Sequence, residues 1–511
     1  MNVMTGGRRA ARQATTVPAS ETGLARPMAR GHETSWLGSV SPVAVIVLAA
    51  AWQLAQGIDH RFISFSDGVY TYIASVVAAH GPSVLYHHIV LSQPPAIVLG
   101  AAGLWKVSPH VETLRMALAV VGVLTALLTY AVARDLGLSR PAAVAAAAIA
   151  TAGPVHSQFG GLDGEALLTP LALVLILLAR RSHHGVTGVA LGLGLLVKVT
   201  WAPFLLAGLV AVWIRSGFAA ALRAAAAALA VSSVLYGTAM LAFGWHPADL
   251  LNQIVTAESN SGSQTELFLP LLAITALMWW PLLPLAWLGR SVADIGTALV
   301  VAAGLLSAGF MFKQGTFQNV LDPVEPFLTV LAVAGFVTLW SRREVMARAL
   351  ALTFALGIGL HAVSVMTPSI SRVLPLPVGA TILDTRDQSL VDRAAAAVDA
   401  AGPADRPVLV NPLIAVVAHR QEIDDQADWF ILHAMAVGCA TPARQVCGLW
   451  DRMKAAARSG AVASVSVDSN VTSFDPSFAN DALSQRKLLV FGADKPPLHT
   501  TVFREDSKAL H

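Results

Sequence analysis

The chain is poor in charge. Only 13% of its 511 residues are Asp, Glu, Lys or Arg, against about 25% in an ordinary soluble protein. Hydrophobic residues make up 55%, and the mean hydropathy is +0.62. This excludes a soluble cytosolic enzyme. It also excludes a disordered chain, which needs low hydrophobicity. No sign of charge dominates, since 34 basic and 31 acidic residues leave +3. The basic residues are scattered, which gives nucleic acid no surface to bind. Two cysteines are too few for a disulfide-dense scaffold. No GxGxxG or Walker-type run offers a nucleotide cradle, and no internal repeat of the transporter kind is visible.

What the chain has is apolar length, unevenly spread. Met1–Leu376 carry 36 charged residues and Pro377–His511 carry 29 in 135, the second density being about a fifth and near the globular norm. The expected organisation is therefore a basic cytoplasmic tail (1–38), a membrane body (39–376) and a small soluble domain (377–511). A span needs about 20 mostly apolar residues. Candidates run near 39–56, 114–133, 141–158, 167–180, 186–199, 201–214, 224–243, 268–288, 294–312, 326–340 and 349–366. The first begins too late, behind an arginine-bearing tail, to be a cleaved signal peptide.

Residues 94–109 decide the sidedness. If they form a short interfacial helix and the tail lies inside, fifteen arginines from Arg8 to Arg348 face the cytoplasm. The short outer loops then keep only Arg61, Lys106, Arg115, Lys198, Lys313 and Arg372. This arrangement obeys the positive-inside rule; making 94–109 a span inverts it. The expected fold is thus a polytopic α-helical membrane protein of about eleven spans, in the plasma membrane, with an extracytoplasmic α/β C-terminal domain. The long loops, 57–113, 156–166, 244–267 and 313–325, all fall outside, where chemistry on a rigid scaffold is expected.

Those loops hold ionisable groups that are costly near a membrane and are functional candidates for that reason. Asp67, in Ser64-Phe65-Ser66-Asp67-Gly68-Val69-Tyr70, can cap the helix that follows and can also take a proton from a hydroxyl nucleophile. A divalent ion, Mg or Mn, is the one cofactor these residues leave open, with Asp67 as ligand. Adjacent His87 and His88 read more readily as an interfacial polar pair than as metal ligands. Arg115 opens the second span; it either snorkels or grips a phosphate or carboxylate. In His156–Glu165, the carboxylates Asp163 and Glu165 serve equally well as helix-start charges or as catalytic groups. Lys198 stands alone between Arg181 and Arg215 and needs water or an anion. Lys313, Asp322 and Glu325 form a further outer polar patch.

In this order the pieces are specific. Asp67, Gly81-Pro82-Ser83-Val84-Leu85-Tyr86, Gln93-Pro94-Pro95, Arg115, Arg134-Asp135-Leu136-Gly137, Asp163-Gly164-Glu165 and Lys198-Val199-Thr200-Trp201-Ala202-Pro203 resemble the polyprenyl-phosphate-sugar glycosyltransferases of the GT-C superfamily. The likeness is to bacterial relatives of protein O-mannosyltransferases and aminoarabinose transferases. It is strongest over 64–215 and returns at 313–336. It implies a polyprenyl-phosphate-linked sugar donor, a cell-envelope acceptor and transfer on the outer face of the membrane. Asp67, with Asp163 or Glu165, would be catalytic; Lys198, Arg115 and Lys313 would bind the donor phosphate; Tyr70, His88, Gln93 and His156 would contact substrate. The family often pairs two acidic residues in the first loop and sets Lys or His before the prolines. This chain has Gly68 and Gln93 instead.

In the C-terminal domain, 407–410, 463–468 and 487–492 read as strands, with helices near 389–400, 426–437 and 448–458. Cys439 and Cys447, in an oxidising compartment, are expected to form a local disulfide. Two rivals to the enzyme are a lipid or solute transporter, which would need mid-span polar residues, and a non-catalytic scaffold whose outer domain binds a partner.

Overall fold

Apolar stretches of this length must satisfy their backbone polar groups internally, and helices do so. The computed structural model is built from them. It describes residues 44–51 except 46, 65–151, 162, 164–181, 183–256, 263, 265–313, 318–342, 344–366, 395–400, 403, 405–428, 432, 444–459, 464–467, 488–491 and 500–504. The main helices are α1 (Phe65–His80), α2 (Ala96–Val107), α3 (Val111–Asp135), α4 (Arg140–Thr151), α5 (Gly164–Arg180), α6 (His184–Val197), α7 (Ala202–Ser216) and α8 (Phe218–Phe243). They continue with α9 (Thr265–Met278), α10 (Leu282–Gly289), α11 (Ile295–Leu306), α12 (Glu325–Ser341), α13 (Val345–Met366), α14 (Pro412–Val417) and α15 (Arg444–Ser459).

Among the described residues, four helical runs are long and apolar enough to cross a membrane: Val111–Asp135, Val199–Ser216, Phe218–Phe243 and Asn319–Ser341. Shorter apolar helices are Ala96–Val107, Arg140–Thr151, His184–Val197, Gly296–Phe312 and Val345–Gly359. The expected continuous span 268–288 is instead two helices, Phe268–Leu277 and Leu282–Val292, bent by 71°. Pro281 stands at the N-cap of α10, and having no N–H it cannot extend the ladder of α9. Helix α2, as expected of 94–109, is short. Its 12 residues span about 18 Å at 1.5 Å each.

Small residues bring the helices together. Gly188 and Gly192 of α6 meet Ala224 and Ala228 of α8 so closely that a Cβ on Gly188 would lie 2.2 Å from the Ala224 carbonyl oxygen. Gly289 and Gly335 do the same for α10 and α12, at 1.9 Å from Leu331 O and Leu285 O. Paired small residues four apart are how apolar helices gain packing when lipid offers no hydrophobic contrast. Threonines return their hydroxyls to their own helices, as Thr125 does to Val121 O and Thr129 to Thr125 O, which satisfies them without a partner on another helix. Helix α8 instead turns Leu222, Leu229, Val234 and Leu241 outward, a broad apolar surface of the kind lipid covers.

The charged groups sort to opposite ends. At one end Arg180 contacts Asp135 at 2.6 Å and Asp294 at 2.9 Å, and Arg215 reaches Asp294 at 3.0 Å. These residues close α3, α5 and α7 and open α11, which Asp294 caps through Thr297 N at 2.9 Å. Arg115, Glu165 and Lys198 lie at the other ends of α3, α5 and α7, and Lys313 follows the other end of α11.

The C-terminal strands are β1 (Ser464–Val467), β2 (Leu488–Phe491) and β3 (Thr500–Arg504), antiparallel in the order β1-β3-β2. Strands β1 and β2 fall within the expected 463–468 and 487–492, whereas the central strand, β3, is not among the expected strands. The expected strand 407–410 is corrected to isolated bridging at Val408 and Leu409, with Val408 paired to Glu422. Pro407 lacks a donor, and Asn411 at once caps α14, its Oδ1 accepting from Leu413 N at 3.0 Å. Residues 426–428 are not helical, and most of the helix expected over 426–437 lies outside the described residues.

Gly289→Ala is expected to lower stability by about 1–3 kcal/mol, the usual cost of overpacking. Gly237→Ala, with nothing within 4 Å of its Cβ, should not destabilise. Thermal unfolding in detergent checks the pair, and equal midpoints would contradict this view of the α10–α12 crossing.

Candidate active site

A carboxylate buried at the edge of hydrocarbon must be paired or neutral. Two buried carboxylates at the end opposite Asp135 and Asp294 are paired. Asp67 sits in the first turn of α1 with only 2% of its surface exposed. It reaches out of its helix: Oδ2 accepts from Arg115 Nη2, and Oδ1 from the backbone N–H of Leu162. Asp67 is therefore a residue within the helix, not its N-cap. Arg115 is buried as well, which removes the snorkelling alternative.

The second pair is Glu165 with Lys198, Oε2 to Nζ. Glu165, at 1% exposure, stands in the first turn of α5. Lys198 is the extended residue (φ −157°, ψ 146°) between α6 and the turn leading into α7. Pro203, inside the first turn of α7, is tolerated where no N–H is needed. Trp201 pins this joint. It is buried, stacks on Phe204 at 4.8 Å and donates from Nε1 to Leu191 O at 3.0 Å. Gly164 makes room for the lysine stem, since a Cβ there would lie 2.8 Å from Lys198 Cδ.

Lys313 faces the same space. Burial lowers its pKa to about 8; the Lys198 cation pushes the same way, and Asp428 opposes it. Asp322 and Glu325, both buried, stand at the start of α12, where the helix dipole favours anions. Tyr70 and Gln93 are buried, and the Gln93 carbonyl accepts from the Tyr86 hydroxyl at 2.7 Å.

An outer layer covers this end. The loop 86–91 is clamped by two glutamine amides that act like neighbouring strands. Gln253 accepts from Leu91 N at 3.0 Å and donates to Tyr86 O at 2.8 Å. Gln426 accepts from Val90 N at 3.1 Å and donates to His88 O at 2.7 Å. Tyr72 of α1 joins the C-terminal segment: its hydroxyl accepts from Glu422 N at 2.7 Å and donates to Asp425 Oδ1 at 3.2 Å. Glu422 is buried, and burial holds its carboxyl well above the usual carboxylate range.

The structure sorts the expected residues. Asp67 and Arg115 form one pair and Glu165 and Lys198 another, with Lys313 close enough to Lys198 to feel its charge. His88 is placed elsewhere. Its side chain is 57% exposed and 3.8 Å from Asp425, on a cleft of about 360 Å³ lined by His87, His88, Asp424, Leu449 and Arg452, among others. That lining includes neither Asp67 nor Glu165, so His88 stands apart from both pairs. Asp163, His156, Cys439 and the Cys447 side chain lie outside the described residues. Gln253, Gln426, Glu422 and Tyr72 were not singled out in the sequence. The glutamines carry no charge or periodic signal; Tyr72 alone had one, lying four residues from Gly68 on one helix face.

The described residues do not suit a divalent ion. No group of three or more His, Cys, Asp or Glu stands together among them. Asp67 already has a guanidinium on one oxygen and an amide on the other.

No family model matches the chain, and no curated protein matches it. Solved structures do. ArnT from Cupriavidus metallidurans in the apo state superposes with a TM-score of 0.58 at 14% identity, over 91% of this chain and 97% of its own. The same protein bound to undecaprenyl phosphate gives 0.57 over the same shares. A weaker likeness, at a TM-score of 0.48 and 14% identity, covers 91% of this chain and 74% of an oligosaccharyltransferase from Archaeoglobus fulgidus tethered with an acceptor peptide. The chain has the ArnT fold.

Lys198→Met should destabilise by up to about 3–5 kcal/mol, the usual cost of removing one partner of a buried ion pair. Adding Glu165→Gln should recover most of it. Thermal unfolding of the three variants tests this, and strictly additive losses would mean the two groups do not act as a pair.

Proposed function

We propose that the protein is a membrane glycosyltransferase that moves a sugar from a polyprenyl-phosphate donor to a hydroxyl of a cell-envelope glycan, lipid or protein. The reaction takes place on the outer face of the plasma membrane, with the N-terminus in the cytoplasm and residues 377–511 outside. The observation that carries this reading is the pair of buried carboxylate–cation couples at one end of an ArnT-like fold. Such a place suits a donor whose tail lies in the bilayer and whose sugar lies beyond it.

The reaction is a single displacement. The Asp67 carboxylate takes the proton of the acceptor hydroxyl. The acceptor oxygen bonds to the anomeric carbon while the bond from that carbon to the phosphate oxygen breaks, and the phosphate leaves with the electron pair. Configuration at the anomeric carbon inverts. Lys198 and Lys313 offset the charge growing on the departing phosphate. Arg115 holds Asp67, and Glu165 holds Lys198 until the phosphate arrives to share it. Asp163, beside Glu165 in sequence, is the alternative second carboxylate.

Asp67→Asn should cut transfer about 10²–10⁴-fold, the usual contribution of a general base, with donor binding kept. Purified protein, a panel of radiolabelled polyprenyl-phosphate sugars and envelope acceptors measure this. Undiminished turnover in Asp67→Asn would overturn the assignment. A second expectation concerns pH. Lys313 with a pKa of about 8 loses its charge as pH rises through that value, so kcat/KM for the donor should fall above about pH 8. Lys313→Arg should abolish that fall, and a pH profile unchanged by the substitution would remove Lys313 from the phosphate site.

A further inference from the structure

Asp67 owes its direction to the rotation of α1 about its own axis, since neighbouring residues on a helix point about 100° apart. Two contacts that bear on that rotation, beside the bonds of Asp67 itself to Arg115 and Leu162, come from the C-terminal segment. Gly68, next to Asp67, lies against α14. A Cβ on it would sit 2.7 Å from Leu413 N and 3.0 Å from Asn411 Oδ1. Tyr72, one turn later on the same face, is held between Glu422 N and Asp425 Oδ1. The segment making these contacts is stiff. Arg420 donates to Pro403 O at 2.7 Å and Arg406 O at 2.8 Å, Glu422 Oε1 accepts from Val410 N at 3.3 Å, and Gln426 locks it to the loop at His88 and Val90.

We propose that residues 405–428 are a positioning element for transfer: by clasping Gly68 and Tyr72 they set the rotation of α1 and aim the Asp67 carboxylate. The proposal rests on the glycosyltransferase reading and adds a role for the outer segment. That segment is then neither an independent binding module nor a passive shield. Tyr72 touches neither donor nor acceptor in this scheme; it acts through Asp67.

The test uses the full-length protein in nanodiscs. Tyr72→Phe removes both hydroxyl bonds with little change in volume, and Gly68→Ala pushes on Leu413. Each should lower kcat about 10- to 100-fold, the scale expected for a misplaced catalytic group. The donor KM should stay within about two-fold, because the phosphate-holding lysines lie on other elements. Amide hydrogen exchange over 65–80 should rise in Tyr72→Phe without a fall in the global unfolding midpoint. An active wild type whose Tyr72→Phe variant keeps its kcat, or whose exchange over α1 does not change, overturns the positioning role. A wild type that turns over no polyprenyl-phosphate sugar instead sinks the underlying reading.

Discussion

A charge set beside hydrocarbon must find its opposite, and the end of this molecule that holds Asp67 and Glu165 is organised by that need. Asp67 with Arg115 ties α1 to α3; Glu165 with Lys198 ties α5 to the joint between α6 and α7. Unpaired, each of these ions would carry a desolvation cost of several kcal/mol. The pairs therefore select an arrangement in which four segments distant in sequence converge. The opposite end obeys the same rule with Asp135, Arg180, Asp294 and Arg215. Between the two charged ends the helices pack through leucine, isoleucine, valine and phenylalanine, with glycine and alanine at the closest crossings.

This division explains why the fold suits a greasy donor. The apolar faces of α8 are free to meet lipid, while the ion pairs gather where the loops begin. In the proposed reaction the pairs are more than ballast. A lysine held by a glutamate is already desolvated and oriented, so an arriving phosphate meets a formed site with little left to reorganise. The outer layer then works as a frame. Glutamine amides at 253 and 426 replace the strand neighbours that loop 86–91 lacks, and Tyr72 links that frame to the helix bearing Asp67.

Much of this was legible in the sequence because membrane chemistry is strict. Low charge density pointed to the membrane class, residues 94–109 read as a short helix, as α2 is, and the isolated positions of Asp67, Arg115, Glu165 and Lys198 marked them as costly and so as candidates. Their pairing was not legible, because nothing in the spacing of 67 and 115, or 165 and 198, says which cation meets which anion. The break between α9 and α10 was hidden inside an apolar run, although Pro281 marked it. Local strand propensity at 407–410 lost to the cap at Asn411. The clamps by Gln253 and Gln426 join residues more than 160 apart through neutral amides, and neither hydropathy nor charge reports such contacts.

The central claim is that a lipid-linked phosphate sits against Lys198 and Lys313. A photoreactive polyprenyl phosphate, irradiated on the purified protein and mapped by mass spectrometry, tests it directly. The account requires adducts in 162–201 and 311–325 that an excess of undecaprenyl phosphate suppresses and that Lys198→Met diminishes. Labelling confined to the lipid-facing surface of α8, indifferent to competitor and to Lys198, would contradict it.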